Sequence, residues 1–320
     1  MTIKTPDRTI ARAMAFAYAR QAVRKVRRFA GGMCHHVFDV TLRDGGQLVV
    51  RVARPGNERL LQGAVHWHGR LQTAGVPVAR ILHADFERRD FPFAYLVLER
   101  LAGTDLGDTY PRLAAAAKRG LAGRMVELQR AAAGMPEGEC FGAALSYDEP
   151  GPHRSWNAAV AAQIAICRER IGDQSPLTAA ELADLERSAS RLKTSLRRVK
   201  ARPFLDDLTT KNVIVTSDGR LSGVVDFDTV SFGDGLYALG LTRAAFARLG
   251  YDSIYTRAWE DALRLDDRAR ARLALYTALF AAVILSEHGH RFNRRRPVEF
   301  DRAGISRLKE LLRTEAMSAV

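Results

Sequence analysis

The sequence predicts an α+β fold of two lobes: a strand-rich N-terminal lobe over residues 1–100 and a mostly helical C-terminal lobe over residues 101–320. Three observations predict it. The first hundred residues carry short apolar runs separated by Gly and Asp turns. From about Tyr110 the chain is rich in Ala, Leu and Arg at helical spacing. A pair of strand-like hairpins, at 203–228, is inserted between those helices. The change of character near residues 99–104 implies a cleft where the lobes meet.

The elements follow in order. Residues 8–28 read as an amphipathic helix, with Arg8, Arg12, Arg20, Arg24, Lys25, Arg27 and Arg28 interrupting its apolar positions. Phe29 to Asp39 reads as a strand, a glycine turn and a second strand. Val40 to Val52 continues as a hairpin with Arg43-Asp44-Gly45-Gly46 as its turn. Asn57 to Ala74 is helical, and Gly75 stops it. Strands follow near Arg80–Phe86 and Phe93–Glu99. After the hairpins, helices are expected at 235–249, 254–265, 268–287 and 300–317. Trp156, Trp259 and Tyr276 read as core residues.

Bulk composition excludes several function classes. Hydrophobic residues are 47% and charged residues 27%, which suits a soluble globular protein rather than a disordered one. Three widely spaced cysteines, Cys34, Cys140 and Cys167, lack metal-ligand spacing and point to a reducing cytoplasm. No secretion pattern opens the sequence, and the apolar stretch Leu273–Leu285 is shorter than the roughly 20 residues a membrane span needs. The net charge of +13 comes mostly from Arg scattered over helices, without interleaved aromatics. That pattern argues against nucleic acid as the main partner.

The chemistry is concentrated between Leu205 and Asp228, in LDDLTTKNVIVTSDGRLSGVVDFD. Asp207 and Asn212 stand five apart, and Asp226 closes the apolar run Gly223-Val224-Val225. Three oxygen-bearing side chains near strand ends suit phosphoryl transfer from a metal–nucleotide complex, one orienting a hydroxyl and two holding magnesium. An Asp-x-x-x-x-Asn pair alone is ordinary turn chemistry; V-V-D-F-D downstream makes it a candidate site. Asp228 shares the face of Asp226 if the strand pleat persists, and is a lesser candidate for a second metal or for the acceptor. Arg51, in the apolar strand Leu48–Val52, needs an anion.

With this layout, D-L-T-T-K-N-V-I-V, G-V-V-D-F-D and F-G-D-G-L-Y resemble the aminoglycoside phosphotransferase and choline kinase superfamily, over roughly residues 25–290. The resemblance implies a protein-kinase-like fold, ATP (or GTP) as donor, Mg2+ as cofactor and a small-molecule hydroxyl as acceptor: an aminoglycoside-like antibiotic, an amino alcohol or a sugar. Carried over by position, Asp207 is the base-like catalytic residue, and Asn212 and Asp226 are the metal ligands. Arg51 contacts nucleotide phosphates, Gly31 and Gly32 lie in a phosphate-covering hairpin, and the hinge around Glu99 and Leu101 reads adenine through its backbone. Asp234 in its Gly-Asp-Gly turn anchors the loop.

Three departures from the family pattern stand out. Leu205 occupies the place of a customary His, and Asp206 replaces a customary small residue, so either acid could face the cleft, with the spacing to Asn212 favouring Asp207. Ala64 stands where the helix Glu that pairs with the strand cation is expected, which leaves Glu58 as the nearby acid. The acceptor pocket has no ranked candidate among Asp148, Glu149, Glu260, Asp261 and Glu287. Leu205 and Ala64 keep open a nucleotide-binding protein without catalysis. The histidines His35, His36, His66, His68, His288 and His290 read as surface or capping residues.

Overall fold

The structure is a computed structural model that describes residues 5–29, 34–172, 174–292 and 297–319. Gly31 and Gly32, expected to cover the phosphates, lie outside the described residues.

Helix α1 spans Arg8–Ala19, capped by Asp7, whose Oδ1 accepts from the N–H groups of Thr9 (2.9 Å) and Ile10 (3.0 Å). Arg20 ends it in a left-handed conformation, with φ 55°. The helix expected over 8–28 therefore stops short, and strand β1 occupies Val23–Arg28. A bulge between Val23 and Lys25 explains why the pattern misleads. One extra residue lets Val23 and Val26, three apart, pack on one cluster, which mimics helical spacing.

Strands β2 (His35–Leu42), β3 (Gln47–Ala53), β4 (Ile81–Asp85) and β5 (Tyr95–Glu99) complete an antiparallel sheet of order β1-β2-β3-β5-β4. Its two faces are set by strict alternation along β3. Val50 and Val52 pack toward Met14 and Ala15 of α1. Val49 and Ala53 pack toward Leu61 and Ala64 of helix α2, which spans Glu58–Thr73.

The second part of the chain begins with strand β6 (Thr104–Asp105) and the short helix α3 (Leu106–Thr109). Helix α4 (Ala115–Ala133), strand β7 (Gly142–Ala144), helices α5 (Trp156–Arg170), α6 (Ala179–Arg191) and α7 (Lys193–Arg197) follow. Then come β8 (Arg202–Phe204), β9 (Val213–Val215), β10 (Leu221–Val224) and β11 (Val230–Gly233). They form two small sheets, β10-β9-β6 and β7-β11-β8. Helices α8 (Leu236–Leu249), α9 (Ile254–Leu263), α10 (Asp267–Glu287) and α11 (Arg302–Ser318) close the fold. Among the described residues, α10 is long and apolar enough to cross a membrane, yet every residue from Leu273 to Ser286 is buried in this fold. It is the central core helix, packed by α5, α8 and α11. The fold is thus the two-lobe α+β plan the sequence predicts.

Helix α2 and the segments that flank it help tie the lobes. Helix α2 serves both: Leu61 and Ala64 pack on the five-stranded sheet, whereas Trp67 and Leu71 belong to the core of the helical lobe. The Trp67 indole Nε1–H donates to the Ala144 carbonyl at 2.8 Å. The segment after α2 joins β10, with the Val224 N–H donating to the Pro77 carbonyl at 2.8 Å. At the crossover, Gly103 has φ +105°, and a Cβ there would meet the Val215 carbonyl oxygen at 2.1 Å, so only glycine allows this approach.

Candidate active site

The β9–β10 hairpin brings the candidate residues together. Val213 stands opposite Val224, so the residues just outside the pair, Asn212 and Val225, are also neighbours; the Val225 N–H donates to the Asn212 carbonyl at 2.9 Å. Asp226 is the next residue. It is held at φ 75°, a left-handed backbone that costs a non-glycine residue energy and that persists where surrounding structure enforces it. Asp207 opens the preceding loop. Its carbonyl accepts from Asn212 Nδ2 at 3.2 Å, and its Oδ1 accepts from the Thr209 N–H (3.3 Å) and hydroxyl (2.5 Å). These bonds fix the Asp207 carboxylate by one oxygen and leave Oδ2 outside them. They also use the amide nitrogen of Asn212, so its Oδ1 is the atom it can offer a cation. Desolvation pushes the Asp207 carboxyl above its ordinary value, with Thr209 opposing and Asp226 reinforcing the shift.

The adjacent acids have separate partners. Asp206 Oδ2 accepts from the Ser231 hydroxyl on β11 at 2.6 Å, and its Oδ1 accepts from the Asp207 N–H at 3.0 Å. Burial pushes its carboxyl up to about 6, against the Ser231 bond and with help from the Asp207 charge. A raised carboxyl pKa makes the ionised form costly in the folded state. Asp206 therefore contributes most stability below about pH 4, and that contribution is lost as pH rises through about 6. From the ordinary 3.8 to about 6, the cost of ionisation is about 3 kcal/mol. Asp206→Asn, which loses about 1 kcal/mol of hydrogen bonding, is expected to be the more stable protein at pH 8. Its advantage should shrink on acidification toward pH 4 when denaturant unfolding of both proteins is compared across that range.

Leu205 is fully buried. Gln129 of α4 supports its backbone. Its Nε2 donates to the Leu205 carbonyl at 2.6 Å, and its Oε1 accepts from the Leu205 N–H at 3.1 Å. This residue was not legible in the sequence, because the pairing joins positions 76 apart through a side-chain amide. Gln129→Ala strands two buried backbone groups, at about 1–3 kcal/mol each. Its unfolding free energy should fall by several kcal/mol, measured by urea denaturation.

The cation side differs from expectation. Arg51 is buried, and Glu58 does not serve it: Glu58 pairs with Arg88. Arg51 instead reaches across to the helical lobe. Its Nη2 donates to Asp226 Oδ1 and, at 2.9 Å, to Asp228 Oδ2; its Nη1 stands 2.7 Å from Asp228 Oδ1. His35 Nε2 lies 2.8 Å from Asp228 Oδ2. Burial alone would raise the Asp228 carboxyl, but Arg51, with His35, outweighs it and holds the group below its ordinary value. The expectation that the histidines are surface or capping residues is corrected here: His35, His36 and His68 are buried. Burial lowers His36 to about 4, so it is neutral. A pair of histidines with alternating neighbours gives no sequence signal for burial, because β2 is covered on both faces at its first residues.

Around the hinge, Leu48 pairs with Glu99 at the end of β5. The Glu99 carboxylate accepts from Arg80 Nε at 3.0 Å, and the Glu99 N–H donates to the Arg80 carbonyl at 2.9 Å. The Leu101 carbonyl accepts from its neighbour Arg100. Asp234 anchors the start of α8: its Oδ1 accepts from the Leu236 N–H at 3.2 Å, and its Oδ2 from Arg272 Nε at 2.7 Å and the Tyr276 hydroxyl at 3.0 Å. Glu149 pairs with Arg59, and Glu260 lies 3.5 Å from Arg270, so two of the acidic acceptor candidates are already engaged.

Among the described residues, no three His, Cys, Asp or Glu side chains are grouped to chelate a metal by themselves. Magnesium does not need such a cage; it is held by one or two oxygen side chains together with phosphates. An amide oxygen at Asn212 and a carboxylate at Asp226 are hard donors of that kind, and they fit it.

Comparison with known proteins places the chain in a family and a fold. The model of a family described as phosphotransferase enzyme family matches residues 25–276. A search of curated proteins finds no match. Among solved structures, aminoglycoside 2'-phosphotransferase-IIIa in its GDP complex superposes with a TM-score of 0.68 at 16% identity, covering 98% of this chain and 99% of that one. A thermostable mutant of aminoglycoside phosphotransferase APH(4)-Ia, in a ternary complex with AMP-PNP and hygromycin B, gives 0.65 at 18% identity, covering 95% and 98%. Macrolide 2'-phosphotransferase type I gives 0.60 at 15% identity, covering 88% and 91%. At these identities the structures establish a common fold.

Proposed function

Because the chain belongs to the phosphotransferase enzyme family, we propose that it transfers the γ-phosphoryl group of ATP, or of GTP, to a hydroxyl of a small molecule with magnesium as cofactor. The observation that carries this reading is the gathering of Asp207, Asn212 and Asp226 at one end of the β9–β10 hairpin, facing a buried arginine from the other lobe. The similar structures with GDP, or with AMP-PNP and hygromycin B, support a nucleotide and a hydroxyl-bearing acceptor.

In this reading residues 1–100 form the nucleotide-binding lobe, and residues 101–320 carry the catalytic loop and the acceptor site. Backbone groups at Glu99 and Leu101 hold the base, with Gly31 and Gly32 over the phosphates. Asp207 accepts or orients the proton of the attacking hydroxyl through the oxygen that Thr209 does not hold. Asn212 Oδ1 and the Asp226 carboxylate hold the metal. Magnesium, when bound, neutralises developing charge on the phosphate oxygens. Arg51 adds positive charge at the same end of the nucleotide, and the remaining catalysis is positioning. Three free cysteines fit a cytoplasmic setting.

The test is thermal stabilisation by ATP with magnesium, followed by a screen of hydroxyl compounds in which nucleoside diphosphate release is measured. Transfer to an amino alcohol, a sugar or an aminoglycoside identifies the acceptor class. Nucleotide binding with no transfer across the panel would select a binding protein instead.

A further inference from the structure

Arg51 lies on the face of β3 that packs against α2, because odd positions of that strand, Val49 and Ala53, contact Leu61 and Ala64. An anion for Arg51 would be expected from that helix, yet α2 carries one acid, Glu58, and it is paired with Arg88. The helix cannot supply another at its closest approach. A Cβ added at Gly63 would meet the Asp228 carbonyl oxygen at 2.2 Å, and Ala64 beside it is fully buried. The helix is seated directly on the Asp228 backbone, and the carboxylate that Arg51 meets comes from that residue.

We propose that Asp228 is the positioning residue for Arg51, taking from the helical lobe the part that a helix carboxylate would play within the strand-rich lobe. This inference rests on the phosphotransferase reading. The two acids that Arg51 touches are not equivalent. The Asp226 side chain is 53% exposed and Asp228 13% exposed. Asp226 is open to a cation from solvent, whereas Asp228 is enclosed, faces both guanidinium Nη atoms and is held from behind by His35. His35 stands opposite Ala53 on β2 and so shares the Arg51 face. Asp226 can therefore turn to a metal while Asp228 keeps Arg51 aimed along the groove. Because the anchor belongs to the opposite lobe, correct placement of the cation also requires the lobes to be closed.

Nucleotide affinity measured in EDTA tests the assignment, because it reports Arg51 without the metal. Wild-type protein is titrated with ADP by calorimetry, beside Asp228→Asn, Arg51→Met and the double variant. Asp228→Asn is expected to weaken ADP binding by about tenfold, Arg51→Met by as much or more, and the double variant no further than Arg51→Met alone. His35→Gln should give a smaller loss in the same direction. If Asp228→Asn does not fold, as judged by thermal melting, Asp228→Glu moves the same charge by one methylene and carries the same comparison. Affinity in EDTA equal to wild type in the Asp228 variant, with a loss confined to magnesium, would make Asp228 a metal ligand and overturn the proposal. So would losses that add in the double variant. A wild-type protein that binds no nucleotide overturns the phosphotransferase reading itself; one that binds while Asp228→Asn matches it overturns this inference alone.

Discussion

Replacing Asp207 by Ala lowers kcat by roughly 10²–10⁴-fold, the usual contribution of a positioned general base, while nucleotide affinity stays close to that of the wild type. The geometry separates these effects. Asp207 is bonded to Thr209 and, through its carbonyl, to Asn212. The backbone bond to Asn212 survives any side-chain change, so the metal-ligand candidates keep their places. The Thr209 contacts do not survive in Ala, and some loop order is lost with them. Asp207→Asn is the better-controlled variant, since its Oδ1 can still accept from Thr209 while it cannot accept a proton. Both variants are expected to turn over equally slowly, as measured by nucleoside diphosphate release with a saturating acceptor. If Asn is restored to wild-type rates, Asp207 acts only through loop structure; normal turnover in Ala removes it from the reaction. The raised carboxyl pKa adds a second signature. The base form of Asp207 is lost from a higher pH than an ordinary carboxyl allows, so the acid limb of the wild-type kcat profile should lie above the usual carboxylate range.

How much of this was legible beforehand depends on the range of the interactions involved. The hairpin residues Asp207, Asn212 and Asp226 span a short stretch, and their meeting follows from one antiparallel pairing, Val213 with Val224. Periodicity and turn spacing reveal such local pairings. The helix α10 was legible for the same reason, since an unbroken apolar run of that length has few places to go but a core. What stayed hidden is long-range. Gln129 braces the Leu205 backbone 76 residues away, and Asp228 meets Arg51 across 177. No periodicity announces either. Strand β1 was misread because its bulge gives apolar positions a spacing of three, and pairing with β2 overrode that local signal.

The Asp226 variants should separate the metal from the nucleotide. In the wild type, magnesium is expected to tighten ATP binding. In Asp226→Asn and Asp226→Ala that enhancement should collapse toward unity, with kcat reduced on the order of 10³-fold, as expected when a charge-stabilising group is removed. The choice of residue matters, because position 226 has φ 75°. Asn tolerates a left-handed backbone better than Ala, whose strain costs about 1 kcal/mol. A loss seen in Ala alone therefore reports backbone geometry, and a loss shared by both reports the carboxylate. The sign of the effect without metal is opposite. Asp226 now accepts a hydrogen bond from Arg51, so removing its charge releases half of the cation's electrostatic partnership and leaves Asp228 as its anchor. Affinity for ADP in EDTA should hold steady or rise, because a less neutralised guanidinium attracts phosphate more strongly. Titration of wild type and both variants, with magnesium and with EDTA, measures the two effects on one scale. Equal losses in the two conditions would show that Asp226 supports the groove without binding the metal.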